Sequence, residues 1–342
     1  MQEQNSLLIH KQTLPFLNIS LYLNDIKPIQ SLVIENTSDV DSAPLEVKIT
    51  ADLACIETFS YNVSLVPAKK EVKIPLENLK VNRDFLNKLS ETEKANITIE
   101  IIENEKVISK DEIAINVHPL EHFGGFQILP ELIAAYITPN HPYIYHIKRK
   151  AIEILEQQGL KTAFEGYQSN DQKRVLQIMS AIYSAIQSEE IVYSSLPPGY
   201  EETGQRLRLL NTIQQEKFGN CIDLSLLFAA CLEAVDLNPI LIIVRGHAFV
   251  GCWLQEDKFP EVINDDKTAI TKRLSKGIRE MAAVEATSVC KGNNIKFSDA
   301  LNAGEAQLVQ KEDFLLSVDI KRARTLRIRP LPLLTNGTGT QL

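Results

Sequence analysis

A chain of 342 residues with 44% apolar content has enough material for two cored domains of ordinary size. Its formal net charge of −8 gives no electrostatic reason to expect nucleic acid or an anionic membrane as a generic partner. No run approaches the roughly 18 apolar residues of a membrane-spanning helix. The start, Met1-Gln2-Glu3-Gln4-Asn5-Ser6, lacks the basic and apolar regions of a signal peptide, so the expected compartment is the cytoplasm.

Residues 1–118 alternate apolar and polar with period two. The runs are Leu17 to Leu23, Leu45 to Ile49, Phe59 to Leu65, Val72 to Leu76, Ile97 to Ile101 and Ile113 to Val117. Asp84 to Glu93 reads as a short helix. Repeated short strands at this spacing predict an antiparallel β-sandwich, immunoglobulin-like in general shape. No reactive cluster accompanies them, so this first domain reads as a binding or spacer module. Residues 119–125 form a linker, punctuated by Pro119 and the pair Gly124-Gly125.

From 126 to 330 the period becomes mixed, which makes the chain α+β as a whole. Pro130 to Tyr136 reads as a short helix with proline at its start. Tyr143 to Gln158 and Asp171 to Glu189 read as longer helices, the second clearly amphipathic. Leu196 to Tyr200 is a loop leading to Gly204-Gln205-Arg206-Leu207-Arg208. Then comes Gly219-Asn220-Cys221-Ile222-Asp223-Leu224, a turn that becomes a helix. Leu224, Leu227, Phe228, Cys231 and Leu232 recur at the spacing of a helix buried on one face.

Pro239 to Val244 predicts a buried strand, and Gly246 to Trp253 its partner. A helix is expected over Thr268 to Arg279 and a third strand over Met281 to Thr287. Ser298 to Gln307 is weakly helical, and Leu315 to Ile320 predicts a last strand. Lys321 to Arg329 carries five basic residues and reads as a solvated edge. Residues 331–342 read as a disordered tail or the start of a linker.

Three residues in this second domain carry possible chemistry. Asn220 is a good N-cap, which puts Cys221 in the first helical turn. Free backbone N–H groups and the positive end of the helix dipole favour a thiolate there. His247 opens the following strand pair, and Glu285 lies in the next strand. A thiolate nucleophile, an imidazole to take and return its proton, and a carboxylate to orient the imidazole would serve covalent catalysis. Each also has a plain reading, as a buried cysteine, a structural histidine and a solvated glutamate. Asp265 and Asp266 compete with Glu285, but they lie in a polar loop. Glu285 lies among apolar residues, where an inward carboxylate demands a partner. The five cysteines (Cys55, Cys221, Cys231, Cys252, Cys290) have neither metal-ligand nor disulfide-framework spacing, which fits reduced thiols. The six histidines do not pair at metal-ligand spacing either, so no metal and no cofactor is assigned.

The segments Gly219 to Leu227, Gly246-His247-Ala248-Phe249-Val250 and Val284-Glu285-Ala286-Thr287 together resemble the core of the transglutaminase-like, or papain-like, cysteine superfamily. That resemblance places the nucleophile at Cys221, the base at His247 and the orienting carboxylate at Glu285, where the family more often has Asp. It offers Gln205 as a side-chain donor to the oxyanion, beside the alternative of a polar contact that fixes its loop. Pro130 to Pro142, Gly166-Tyr167-Gln168 and Gly204 to Arg208 resemble, more specifically, the amino-terminal region of large bacterial proteins that continue into a superfamily-1 helicase and sometimes a nuclease. Such proteins are associated with defence against phage. The implied partners are a protein or peptide substrate and a helicase or nuclease in the same protein or complex. This chain contains no helicase motif, which implies a segment of a longer protein or a stand-alone relative. The resemblance leaves two functions open: a protease, deamidase or transglutaminase, or an inactive module that recognises a partner.

Overall fold

Alternation of apolar residues does build sheets in the first part of the chain, but not everywhere it occurs. The structure is a computed structural model that describes residues 6–195, 204–275, 277–310 and 313–333. It is mixed α+β and divides into two units, Met1–His122 and Phe123–Leu342. Among the described residues, no helix is long and apolar enough to cross a membrane. The loop expected at Leu196 to Tyr200 and most of the expected tail, from residue 334 on, lie outside the described residues.

The first unit has a five-stranded and a three-stranded sheet. The five strands lie in the spatial order Phe16–Leu17, Lys106–Val117, Glu93–Glu103, Leu45–Ala51, Phe59–Val63. Ile97, Ile99 and Ile101 are buried with Val47 and Ile49, because Val47 pairs Ile101 and Ile49 pairs Ile99 across one ladder. The smaller sheet orders Leu7–Thr13, Ile29–Asn36 and Glu71–Lys73. Neither Leu7–Thr13 nor Ile29–Asn36 shows a clean alternation in sequence.

The opposite error occurs at Leu17 to Leu23. Only Phe16–Leu17 is extended, and Ile19–Leu23 is helical. Asn18 is the cause: its side chain accepts from Leu21 N at 3.0 Å and from the Ser20 hydroxyl at 2.8 Å. That local cap outcompetes a ladder. The helix expected at Asp84 to Glu93 shrinks to Arg83–Leu86.

The second unit is built on an antiparallel sheet ordered Ile263–Asn264, Phe314–Asp319, Pro239–Val244, His247–Trp253, Met281–Val284. Every residue of the central strand Pro239–Val244 is buried. The helix Cys221–Glu233 packs on the two central strands and against the helices Pro142–Gln157 and Gln172–Gln187. All residues from Cys221 to Leu232 are buried. The helix is therefore enclosed on all sides, not along one stripe as its spacing predicts. Trp253 is core, packed with Ile240, Phe249 and Met281.

Other boundaries move. Pro130–Tyr136 is a 3₁₀ helix. The helix expected over Thr268 to Arg279 is Lys267–Leu274, and the weak helix from Ser298 extends over Phe297–Gln310. The basic run at 321–329 is not simply a solvated edge. The Arg324 guanidinium donates to both Glu233 oxygens at 2.8 and 3.0 Å and to the carbonyls of Ala134, Ile137 and Ile328. It staples the C-terminal helix Ile320–Thr325 to two distant parts of the unit.

One close approach decides how Phe297–Gln310 sits. A Cβ on Gly304 would lie 2.6 Å from the Ala283 carbonyl oxygen and 2.9 Å from Val284 N. Only glycine lets the helix rest on the backbone of Met281–Val284. Gly304→Ala is expected to push the helix off the strand and destabilise the protein by about 1–3 kcal/mol, read as a lower urea midpoint. An unchanged midpoint would mean that the helix relaxes at no cost.

Candidate active site

The helix Cys221–Glu233 begins where Asn220 stops the preceding strand. The Asn220 side chain accepts from Asp223 N at 3.0 Å, and Asp223 accepts from Asn220 N at 3.0 Å. This reciprocal cap fixes the first turn, which holds Cys221. Asp223 is fully buried and also accepts from Arg208 N at 2.9 Å and the Arg208 guanidinium at 3.1 Å. Burial pushes its carboxyl above the ordinary range, against the pull of those donors. Asp223 thus ties the segment around Arg208 to the start of the helix.

Behind the turn, the Ser225 hydroxyl is shared between the carbonyls of Cys221 at 2.7 Å and Ala248 at 3.2 Å. The segment entering the turn is also held. Buried Glu189 lies 2.5 Å from the Lys217 ammonium, 2.6 Å from that of Lys150 and 3.0 Å from His146 Nε2. Burial opposes its charge, but the two lysines outweigh burial and hold its carboxyl down at about 2.

His247 is the first residue of its strand, just after the two-residue turn Arg245-Gly246. Its Nε2 lies 2.7 Å from Glu285 Oε2. The charge of Cys221 also acts on this ring. Burial works against the imidazolium, yet the bonds and charges of Cys221 and Glu285 outweigh it and push the His247 pKa up to about 9. In its protonated form the ring donates from both nitrogens.

Glu285 does not lie within the third strand, as the apolar run predicts. The strand ends at Val284, and Glu285 caps the short 3₁₀ helix Ala286–Val289. Val250 pairs Val284, so carrying that register one step further sets Glu285 opposite Phe249. His247 is two residues along on the same face. A diagonal neighbour is farther away than a direct one, which suits the longer side chain of Glu.

The carboxylate is held on both oxygens. Oε1 accepts from Thr287 N at 3.1 Å and the Thr287 hydroxyl at 2.8 Å. Oε2 accepts from His247 and from Gln307 Nε2 at 3.3 Å. Burial raises its pKa, but the bond and charge of His247 and the Thr287 bonds more than offset that and leave it below the ordinary value. Asp266 instead caps the helix Lys267–Leu274, accepting from Thr268 N at 2.8 Å.

Gln205 is positioned by its neighbours. Gly204 has φ 78°, and a Cβ there would lie 2.1 Å from the Phe123 carbonyl oxygen, so only glycine fits before it. Three residues on, Arg208 is bonded to Asp223. The Gln205 amide nitrogen is buried and has no hydrogen-bond partner among the described residues. It is a donor without an acceptor.

Several side chains at the site carry no signal in the sequence. Gln307 comes from a helix of weak pattern, and Ser225 looks like any helical serine. Tyr193, at the end of the strand Val192–Tyr193, feels the charge of Cys221. Burial, then the charges of Cys221, Glu285 and Cys290, hold its hydroxyl above the ordinary range. Thr287 was findable, since Glu-x-Thr at a strand end is a capping pattern. Cys231, Cys252 and Cys290 are buried, with thiols pushed up by burial. Among the described residues no group of histidine, cysteine and carboxylate side chains is arranged to hold a metal ion. No family model matches the chain, and no curated protein or solved structure matches it.

Proposed function

We propose that the second unit is a transglutaminase-like cysteine domain that performs acyl transfer on peptide or glutamine side-chain amides. The observation that carries the reading is the His247–Glu285 pair: the imidazole is bonded at 2.7 Å to a carboxylate engaged on both oxygens, and the charge of Cys221 acts on the same ring. The Cys221 thiolate attacks the amide carbonyl carbon, and the carbonyl electron pair moves to oxygen. The unpartnered Gln205 amide suits that oxyanion, together with backbone N–H groups at the helix start. The C–N bond then breaks, and the His247 imidazolium gives its proton to the leaving nitrogen. A thioester remains at Cys221. Attack by water makes the domain a protease or deamidase, and attack by an amine makes it a transferase. Glu285 positions the imidazole throughout.

In this reading the two sheets of the first unit form an immunoglobulin-like β-sandwich that serves binding or spacing. The sequence resemblance further places the protein beside a helicase or nuclease in a bacterial defence system. One observation favours the second function, an inactive recognition module: Cys221 is itself only 6% exposed. Proteomes of cells expressing wild type and Cys221→Ala separate the two. New protein termini, deamidated glutamines or isopeptide crosslinks that depend on Cys221 support the enzyme. Identical proteomes, with Cys221 inert to iodoacetamide, would leave only the recognition module.

A further inference from the structure

The helix Phe297–Gln310 meets the site through one face. Ala300, Gly304 and Gln307 are spaced i, i+4, i+7 and so share that face. The Ala300 carbonyl accepts from Glu285 N at 3.0 Å. Gly304 rests on the backbone of Ala283 and Val284. Gln307 then reaches Glu285 Oε2 with its amide nitrogen. The helix thus grips the end of the strand and the carboxylate it presents.

Gln307 is only half satisfied by this. Its carbonyl oxygen is buried and has no hydrogen-bond partner among the described residues. A buried acceptor left dry is unfavourable, and an apolar side chain at this place would avoid it. What the amide gains is a second donor on the oxygen that His247 uses. An amide can donate to Glu285 but cannot ionise, so it never competes with the imidazolium for that charge.

We propose that Gln307 is a positioning residue of the cysteine site, which holds the Glu285 carboxylate ionised and aimed at His247 and so contributes to the acid limb of Cys221 reactivity. This rests on the cysteine-site reading above. The other titratable groups facing Glu285 come from several further elements. They are His247 on its strand, with Cys221 beyond it at a helix start, Tyr193 on the strand Val192–Tyr193, Tyr183 on the helix Gln172–Gln187, and Cys290 after the 3₁₀ turn. Burial raises Tyr183 to about 12 and Cys290 to about 11, and holds Tyr193 above its ordinary range as well. None of these three titrates in acid, and His247 loses its proton only near 9. Protonation of Glu285 removes the charge that holds His247, so its titration is expected to add to the acid limb that any attacking thiol shows.

The test reads Glu285 directly and Cys221 separately. Carboxyl-carbon NMR of protein labelled at glutamate, assigned with Glu285→Gln, gives the Glu285 titration. The iodoacetamide alkylation rate of Cys221 gives the pH profile of the thiol. Gln307→Leu should raise the Glu285 midpoint by about one pH unit, since one donor to the charged form is lost. The acid limb of alkylation should move up with it. Gln307→Glu should raise both further, because two touching carboxylates share a proton. In a Glu285→Gln background, Gln307→Leu should leave the alkylation profile where it was. Gln307→Met serves in the same way if the leucine variant does not fold. Superimposable Glu285 titrations in wild type and the variants would overturn the proposal, as would a Gln307 effect that persists without Glu285. If wild-type Cys221 is no more reactive than a free thiol, the cysteine-site reading fails instead, and the NMR titration still decides for or against Gln307.

Discussion

Replacing His247 with Ala is expected to lower the alkylation rate of Cys221 at pH 6 by about 100-fold. The argument is electrostatic. In the wild type the sulfur faces a ring whose pKa is pushed up to about 9, so at pH 6 the imidazolium is essentially complete. A cation beside the attacking sulfur favours the charged, reactive form, and the alanine variant removes it. Glu285→Gln should cost about 10–100-fold in the same assay, the value of one hydrogen bond to a charged group. Asp265→Asn and Asp266→Asn should change little, since Asp266 caps a helix elsewhere. Equal rates in wild type and His247→Ala, with both proteins folded, would remove the histidine from the site.

The largest loss of stability is expected from Asp223→Ala. One carboxylate there serves three donors: Asn220 N, Arg208 N and the Arg208 guanidinium. Truncation strands a largely buried cation, because the Arg208 side chain is only 18% exposed. It also leaves Asn220 N without its partner. Breaking a buried pair from one side costs about 3–5 kcal/mol. Urea unfolding of the second unit should report a loss in that range. Asp223→Asn keeps an acceptor for the cap but not the charge, and should lose roughly half as much. A cost below about 1 kcal/mol for the alanine variant would mean that water replaces the carboxylate and that the turn is not held in this way.

Where the chain could be read in advance depended on how local the cause was. The helix after Asn220 was legible because cap, first turn and apolar spacing all lie within 15 residues. The hairpin to Trp253 was legible for the same reason, with Arg245-Gly246 between two apolar runs. Glu285 stood out as a charge in an apolar run. That it lies past the strand and caps a 3₁₀ turn follows from Thr287 and from the helix behind it, which alternation does not register. Leu17 to Leu23 misled because Asn18 redirects the backbone while every second residue stays apolar. Gln307 was invisible, since its only distinction is a contact across 22 positions of sequence. The enclosure of the Cys221 helix was likewise hidden, because small residues such as Ala229 and Ala230 do not reveal what covers them. Arg324 looked like part of a charged edge, and only its five acceptors show that it is a staple.

The order of strands in the second unit also shapes how the chain must come together. Pro239–Val244 lies between His247–Trp253, which follows it at once, and Phe314–Asp319, the last strand among the described residues. Until that last strand arrives, one edge of a six-residue apolar ribbon without a charge has unpaired amides and carbonyls. At the usual pace of synthesis this interval lasts on the order of several seconds. During it, the exposed ribbon can template pairing with a neighbouring nascent chain. A ribosome stall or a stop codon just before Phe314 would freeze the molecule in that state. The consequence reaches beyond the lost strand: the product would be sticky as well as incomplete, a substrate for chaperones and proteases before it could ever meet a target of its own.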